Sequence, residues 1–257
     1  ERNKRTTTTA TTRSFRRFKM TEPTSTDDRQ LPADVAASKF PREIPASSTA
    51  SIPEGGMTLY CKAAEDKTSV GDCPFAHYVR FVLEEKGLPY ELKPSVQETK
   101  PSWLVEYYEG KMPALRHRKE CYVESSVIGS YLEFFFPEPA LTPKDKAVEA
   151  KAEAALEGFF PAVAKFLKDT EDTDETLTNL RTKLQGVEDH LASLDDGSVF
   201  LAGGTDFSLI DCRIVPQLYH LTVGIEKFKN NVPSLSEDYP NLWKYYQTCS
   251  ERPSFKA

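Results

Sequence analysis

The sequence predicts an α/β domain followed by an all-helical domain, and three observations lead to this. Strand-like and helix-like segments alternate up to Pro139, and strand signals then stop. Residues 57–257 carry 23 basic and 32 acidic side chains (net −9) with an ordinary globular composition. Residues 1–56 carry 10 basic and 7 acidic side chains (net +3) and no cysteine. We therefore expect a disordered leader over 1–56, an α/β domain over 57–139 and a helical domain over 140–257.

The leader itself has two compositions. Residues 2–19 hold seven basic side chains, six threonines and no acid, a composition typical of plastid or mitochondrial transit peptides. In the alternative interpretation, Met20 is the initiator and the residues before it are a translated leader. Residues 20–56 are acidic, rich in proline, serine and threonine, and without periodicity, so we expect them to be disordered. The compartment stays open between chloroplast and cytoplasm.

The α/β domain opens with a β-α-β unit. Alternating apolar residues predict a strand over 57–62, and apolar residues at helical spacing predict a helix after Cys73. Pro74 suits the first helical position and Gly87 the residue after the helix, which places Cys73 at the N-cap. Residues 88–92 predict the second strand.

The remaining elements follow in chain order. The patterns predict a short helix over 101–108, strands over 112–115 and 121–123 around a basic turn, and a helix from Ser126 to Pro137. In the second domain they predict helices over 144–168, over 175–194, from Ser208 onward and over 239–249. Ser208 and Asp211 have the spacing of a capping box, a structural feature.

Composition excludes several classes of protein and of site. No apolar run approaches the roughly 18 residues of a transmembrane helix, and an acidic body does not suit a general nucleic-acid binder. The cysteines are odd in number and widely spaced, with no CxxC motif and no Cys/His cluster, so we expect reduced thiols and neither a disulfide framework nor a metal site. They are Cys61, Cys73, Cys121, Cys212 and Cys249.

Cys73 is the candidate nucleophile. The unpaired N–H groups and the positive dipole end of a helix N-terminus favour the thiolate, which is the reactive form of cysteine. Cys61, Cys121 and Cys212 lie on apolar patterns and are expected to be inert core residues. Ala76, not a cysteine, stands three residues after Cys73, so a mixed disulfide formed there needs an external thiol for its release.

Other polar residues have plainer interpretations when taken alone. Lys62 is typical of a solvated strand end and Asp72 of a turn. We expect His77 and His190 on the surface of helices, and His220 as a hydrogen-bonded histidine in the core.

These motifs together resemble the glutathione transferase superfamily over residues 57 to about 255. The resemblance rests on the Cys73-Pro74-Phe75 helix start, Met112-Pro113 before a strand, and Glu124-Ser125 opening the next helix, followed by an all-helical domain. It implies a thioredoxin-like N-terminal domain within the glutathione transferase fold. Lys62 combined with Gly71-Asp72-Cys73 is similar to plant-type dehydroascorbate reductases. The Cys-Pro-Phe motif alone also occurs in omega-class transferases and chloride intracellular channel proteins.

The resemblance implies a role for each matching position. Cys73 corresponds to the catalytic nucleophile, and Lys62 and Asp72 to the residues that bind dehydroascorbate. Pro113 corresponds to a cis proline, and Glu124 stands where many plant members have aspartate. The positions implied to bind glutathione are Lys100, Met112, Pro113, Glu124 and Ser125.

The implied activity is reduction of dehydroascorbate to ascorbate with two glutathione molecules as co-substrate and no bound cofactor. The resemblance also implies a monomer, and the acidic body argues against a nucleic-acid partner. Stable membrane insertion is not expected, because the first helix carries Glu84, Glu85 and Lys86. Three alternatives stay open: an omega-like thiol transferase, a non-enzymatic protein like the chloride intracellular channels, and a non-catalytic ligand carrier.

Overall fold

A computed structural model describes residues 30–46, 56–171, 173–194, 197–229 and 232–257. Residues 31–257 form one compact unit. Its strands are β1 (Met57–Lys62), β2 (Tyr90–Ser95), β3 (Ala114–His117) and β4 (Glu120–Val123). The helices of its first part are α1 (Ala33–Ala36), α2 (Pro74–Glu85), α3 (Ser102–Tyr108) and α4 (Ser125–Phe135). Those of its second part are α5 (Lys146–Ala155), α6 (Phe159–Lys168), α7 (Asp174–Ala192), α8 (Leu209–Phe228), α9 (Leu235–Asp238), α10 (Pro240–Ser250) and α11 (Pro253–Lys256).

The four strands form one mixed sheet in the order β2-β1-β3-β4. β1 is parallel to β2 and antiparallel to β3, which in turn pairs antiparallel with β4. Leu59 pairs with Leu92 on one side and with Leu115 on the other, so the centre of the sheet is apolar. The predicted β-α-β unit and the β3–β4 hairpin are confirmed.

The α/β part and the helical part share one hydrophobic core. α2 packs on α8, and one cluster of buried residues contains Val79 and Phe81 of α2 together with Ile214 and Leu218 of α8. Packing on both sides therefore holds α2, which begins at Cys73, in a fixed position. No helix within the described ranges is both long and apolar enough to cross a membrane.

The helix predicted over 144–168 is interrupted. α5 ends at Ala155, Gly158 takes a left-handed conformation with φ 70°, and α6 begins at Phe159. Pro161 lacks a backbone N–H and so cannot bond to the carbonyl of residue 157 within a continuous helix. A proline fits best in the first turn of a helix, where its missing N–H would have no intrahelical partner, and the restart at Phe159 places Pro161 there.

Residues 31–46, which we call the strap, are folded against the α/β part, so the prediction of disorder over 20–56 is wrong for them. Val35 and Ile44 are only 2% and 5% exposed. Glu43 forms an antiparallel bridge with Glu120 at the edge of the sheet. The free backbone groups of an edge strand and a few isolated apolar side chains are enough to fix the strap, although its sequence has no periodicity. Residues 1–29, with the basic stretch and Met20, and residues 47–55 lie outside the described residues.

Lys86, at the end of α2, ties this helix to the connection between the two parts. Its side chain is fully buried, its Nζ lies 2.6 Å from Glu133 Oε2, and it donates to the carbonyl oxygens of Phe136 (2.7 Å) and Pro139 (2.9 Å). The Glu133 carboxylate also accepts the backbone N–H of Leu141. Lys86 follows two glutamates at the end of a helix, where the sequence alone would place it in solvent. In the structure it forms a buried ion pair with Glu133.

Candidate active site

Cys73 is the N-cap of α2, as predicted. Its backbone is extended (φ −75°, ψ 112°), Pro74 occupies the first turn, and the Cys73 carbonyl accepts the N–H of His77 at 3.1 Å. The side chain is half-buried, so the thiol is accessible to a ligand. A thiol at this place meets the partial positive charge of the helix N-terminus.

The other four thiols are buried and differ from Cys73 in their chemistry. Burial raises the pKa of Cys61 to about 11, and it also raises the pKa values of the Cys121, Cys212 and Cys249 thiols. A thiol with such a pKa is protonated at neutral pH and is a poor nucleophile. The prediction of Cys61, Cys121 and Cys212 as core residues is confirmed, and Cys249 is buried as well. Cys73 is the accessible thiol among the described residues.

The loop between β1 and α2 brings Lys62 and Asp72 together beside Cys73. The Gly71 N–H donates to the Lys62 carbonyl at 2.8 Å, which folds the loop back onto the end of β1. A side chain at Gly71 would start 2.8 Å from the carbonyl oxygens of Lys62 and Ala63, so only glycine fits there. Lys62 Nζ then lies 3.3 Å from Asp72 Oδ1.

The Lys62–Asp72 pair has a defined charge state at neutral pH. Burial alone would raise the pKa of the Asp72 carboxyl, but the hydrogen bond and charge of Lys62, together with the charge of His220, lower it on balance. Asp72 is therefore ionised and holds the Lys62 ammonium in place. Both side chains are mostly exposed, at 65% for Lys62 and 74% for Asp72, so a ligand can reach them.

Cys73, Lys62 and Asp72 line one cavity of about 1080 Å³, which we call the Cys73 cavity. Its opposite wall comes from α8, with Tyr219 and His220, and from the C-terminal helix α11. This volume is at the upper end of the range for small-molecule sites. A substrate bound there would contact the thiol and the Lys62–Asp72 pair together.

All three histidine predictions are wrong. His77 is half-buried: its Nε2 hydrogen-bonds to the Phe255 carbonyl at 3.1 Å, and its ring lies 4.5 Å from that of Phe255. His190 is buried, with Nε2 2.8 Å from the Leu201 carbonyl. His220 is half-buried in the wall of the Cys73 cavity instead of the core.

A second cavity, of about 720 Å³, lies on the other side of the start of α2 and is called the Glu124 cavity below. It is lined by the Met112–Pro113 pair, whose peptide bond is cis as the resemblance implied, and by Glu124 and Ser125 at the start of α4. Pro74 lines both cavities, so the two adjoin next to Cys73.

Glu124 has an unusual backbone. Its φ is 68°, a conformation that costs a non-glycine residue of order 1–3 kcal/mol and often marks binding sites. Its carboxylate pairs with the ammonium of Lys111, which also lines the cavity. Lys111 was not predicted as a site residue, although its place directly before Met112-Pro113 is a signal in the sequence that points to it. The Glu124 carboxylate can bind a positively charged group, and the Lys111 ammonium and the N-terminus of α4 can bind a negatively charged one.

Lys100 is not brought to either cavity. Its Nζ donates to Gln97 Oε1 at 3.1 Å, near Gly110, and it is absent from the lining of both. The lysine that lies beside Glu124 is Lys111 instead. The implied role of Lys100 in binding glutathione stays a prediction.

Two further features are structural. The Ser208–Asp211 capping box is confirmed, with the Ser208 N–H and hydroxyl donating to Asp211 Oδ2 at 2.9 and 2.7 Å. Within the described ranges, no three His, Cys, Asp or Glu side chains are grouped so that they could hold a metal ion.

Comparison with known proteins identifies the family. The family models for the glutathione S-transferase N-terminal and C-terminal domains match residues 72–133 and 149–248. A protein of Oryza sativa subsp. japonica named probable glutathione S-transferase DHAR1, cytosolic, is 33% identical over 78% of this chain and 90% of its own length. Probable glutathione S-transferase DHAR2, chloroplastic, from the same species is 29% identical over 85% of this chain and 72% of its own length.

An omega-class protein is also similar. Probable glutathione transferase omega-2 of Caenorhabditis elegans is 27% identical over 72% of this chain and 76% of its own length. Among solved structures, the dehydroascorbate reductase of Chlamydomonas reinhardtii superimposes with a TM-score of 0.63 at 27% identity, covering 79% of this chain and 92% of that one. The predicted fold, an α/β domain followed by an all-α domain, is confirmed.

Proposed function

Because the chain belongs to the glutathione S-transferase family, in the dehydroascorbate reductase group, we propose that it reduces dehydroascorbate to ascorbate and oxidises two glutathione molecules. The observation that carries the proposal is the accessible thiol of Cys73 at a helix N-terminus, in one cavity with the Lys62–Asp72 pair. The other four thiols are buried and protonated, which leaves Cys73 as the nucleophile among the described residues.

The proposed reaction has three balanced steps. In the first, the Cys73 thiol gives two electrons to dehydroascorbate, and with one water this yields ascorbate and a sulfenic acid on Cys73. In the second, the thiol of one glutathione attacks the Cys73 sulfur, a mixed disulfide forms and water leaves. In the third, a second glutathione thiolate attacks the mixed disulfide, releases glutathione disulfide and restores the Cys73 thiolate, which the helix N-terminus favours. The second glutathione is required because Ala76 stands where a resolving cysteine would lie.

In this proposal each of the two substrates binds in its own cavity. Dehydroascorbate occupies the Cys73 cavity, where the Lys62 ammonium, held by Asp72, stabilises the negative charge that develops on its oxygens. Glutathione occupies the Glu124 cavity, with its cysteinyl part along Met112 and its γ-glutamyl end at Glu124 and Ser125. Because the cavities adjoin at Pro74, the glutathione sulfur can approach Cys73.

Steady-state formation of ascorbate, followed by absorbance with glutathione present, tests the proposal. Cys73→Ser should abolish it, and Cys61→Ala, which removes a buried thiol at the end of β1, should keep most of it. Activity retained by Cys73→Ser would overturn the proposal.

A thiol transferase of the omega kind is the second candidate, favoured by the omega-class relative and by the lack of a resolving cysteine. The discriminating measurement compares turnover of dehydroascorbate with turnover of hydroxyethyl disulfide. We expect dehydroascorbate to be the better substrate, because the Lys62–Asp72 pair beside Cys73 suits an oxygen-rich substrate. Preferential reduction of the disulfide would favour the second candidate.

Two properties of the protein in the cell belong to the same proposal. We propose that it acts as a monomer, which light scattering of the purified protein tests. Relatives named cytosolic and chloroplastic both exist, so either compartment suits the chain. A fusion of residues 1–56 to a fluorescent protein would distinguish the two.

A further inference from the structure

Two residues of the strap contact side chains that line the Glu124 cavity: Asp34 accepts the hydroxyl of Ser130, and Phe40 lies next to Lys111. The Phe40 ring stacks on Tyr108 with centroids 6.1 Å apart, and Lys111 Nζ lies 5.6 Å from its centroid. A lysine ammonium within about 6 Å of an aromatic centroid is attracted by the ring. The strap therefore contacts the ammonium that pairs with Glu124.

The neighbours of Phe40 fix its position. Lys39, the preceding residue, binds Glu109 Oε1 at 2.6 Å, which ties the strap to the loop that carries Lys111. Phe40 packs against a small core that contains Ile44 of the strap, and Met112 packs against the same core. One cluster of side chains thus connects the strap with Met112, the residue before the cis peptide bond.

The Lys111–Glu124 pair has the charges that a γ-glutamyl end requires. That end of glutathione carries an ammonium and a carboxylate on one carbon. Glu124 can accept the ammonium, and Lys111, held at the same place, can receive the carboxylate together with Ser125 at the start of α4. A lysine whose side chain is disordered in solvent would bind the carboxylate more weakly, because fixing a long side chain on binding costs conformational entropy.

We propose that Lys111 binds the γ-glutamyl carboxylate of glutathione and that Phe40 of the strap is its positioning residue. The inference rests on the proposed function, because it takes the Glu124 cavity as the glutathione site. It gives part of the segment before the α/β domain a role in binding the co-substrate.

The other strap contacts described below do not involve Lys111 itself, although Ser130, the partner of Asp34, also lines the Glu124 cavity. Asp34 Oδ2 accepts the hydroxyl of Ser130 at 2.7 Å, Val35 is buried in the main core, and Arg42 Nη2 lies 2.9 Å from Glu120 Oε1. A strap with a purely structural role would respond to a change at Val35 or at Phe40 in the same way. A change at Phe40 that acts on glutathione alone distinguishes the two roles.

The experiment measures KM for glutathione, KM for dehydroascorbate and kcat in Phe40→Ala, Phe40→Tyr and Val35→Ala. A cation–π contact at an exposed site contributes about 0.5–1 kcal/mol, so Phe40→Ala should raise KM for glutathione about two- to fivefold. In Phe40→Ala we expect kcat and KM for dehydroascorbate to be unchanged. Phe40→Tyr should have the same KM for glutathione as the unchanged protein, because it keeps the aromatic ring. Val35→Ala should lower thermal stability without changing KM for glutathione.

A double-mutant cycle with Lys111→Met completes the test. Lys111→Met should itself raise KM for glutathione, and Phe40→Ala should have no further effect in that background, since its target is gone. Additive effects, or equal losses in Phe40→Ala and Val35→Ala, would overturn the inference. Glu124→Gln separates this failure from that of the proposed site: if Glu124→Gln leaves KM for glutathione unchanged, the Glu124 cavity is not the glutathione site.

Discussion

Replacing Lys86 by methionine should destabilise the protein, because the lysine is the centre of a buried polar cluster. Methionine keeps the apolar stem but removes the ammonium that lies 2.6 Å from Glu133 Oε2 and donates to the carbonyls of Phe136 and Pro139. Removing one partner of a buried ion pair costs roughly 3–5 kcal/mol. Glu133 keeps other donors at its Oε1, including the Leu141 N–H, so we expect the lower end, about 3 kcal/mol.

Thermal and urea unfolding followed by circular dichroism measure this loss. For a domain of this size, about 3 kcal/mol corresponds to a fall in Tm of about 6–12 °C. Lys93→Met is the matched control: Lys93 and Glu91 form an exposed pair at 3.2 Å, and such pairs contribute less than about 1 kcal/mol. A loss below about 1 kcal/mol in Lys86→Met would refute the reasoning, since the cluster would then contribute no more than a surface pair.

Three further predictions follow from other parts of the structure. Asp211→Ala leaves the buried N–H of Ser208 and other donors without an acceptor, which costs about 1–3 kcal/mol of stability for each donor. Urea unfolding should therefore show a larger decrease in the free energy of unfolding than the roughly 1 kcal/mol expected for Ser208→Ala. Burial lowers the pKa of His77 below its usual value of 6.5, so the neutral ring stabilises the fold above that pH and this contribution is lost on acidification. Amide exchange of 254–257 should rise between about pH 7 and about pH 5, and no rise would contradict the burial of His77 against α11. Lys62→Ala should raise KM for dehydroascorbate more than KM for glutathione, and equal increases would contradict its place beside Cys73.

Local signals in the sequence predicted much of the fold and the thiol. Pro74 and Gly87 delimit α2 and place Cys73 at its N-cap, because each acts through its own backbone. The Ser208–Asp211 capping box likewise depends on residues three apart in the chain. Features of this kind need no knowledge of the tertiary structure.

Features that depend on distant partners could not be predicted. The strap is held by an edge strand about 80 residues away, through Glu43 and Glu120, and its own sequence has no period. His77 and His190 were expected in solvent because the packing of α11 and of the loop at Leu201 cannot be read from their own helices. The pairing of Lys111 with Glu124 could not be predicted either, since both strands of the β3–β4 hairpin separate the two residues in the chain.

A single-turnover experiment tests the central claim, that Cys73 supplies the electrons for dehydroascorbate. Reduced protein, freed of glutathione, is mixed with dehydroascorbate, and ascorbate is followed by absorbance. We predict one equivalent of ascorbate per protein, because one accessible thiol is oxidised once and the other four are buried. Cys73→Ser should give none and Cys61→Ala the full equivalent. Ascorbate formed by Cys73→Ser, or none formed by the unchanged protein without glutathione, would contradict the account.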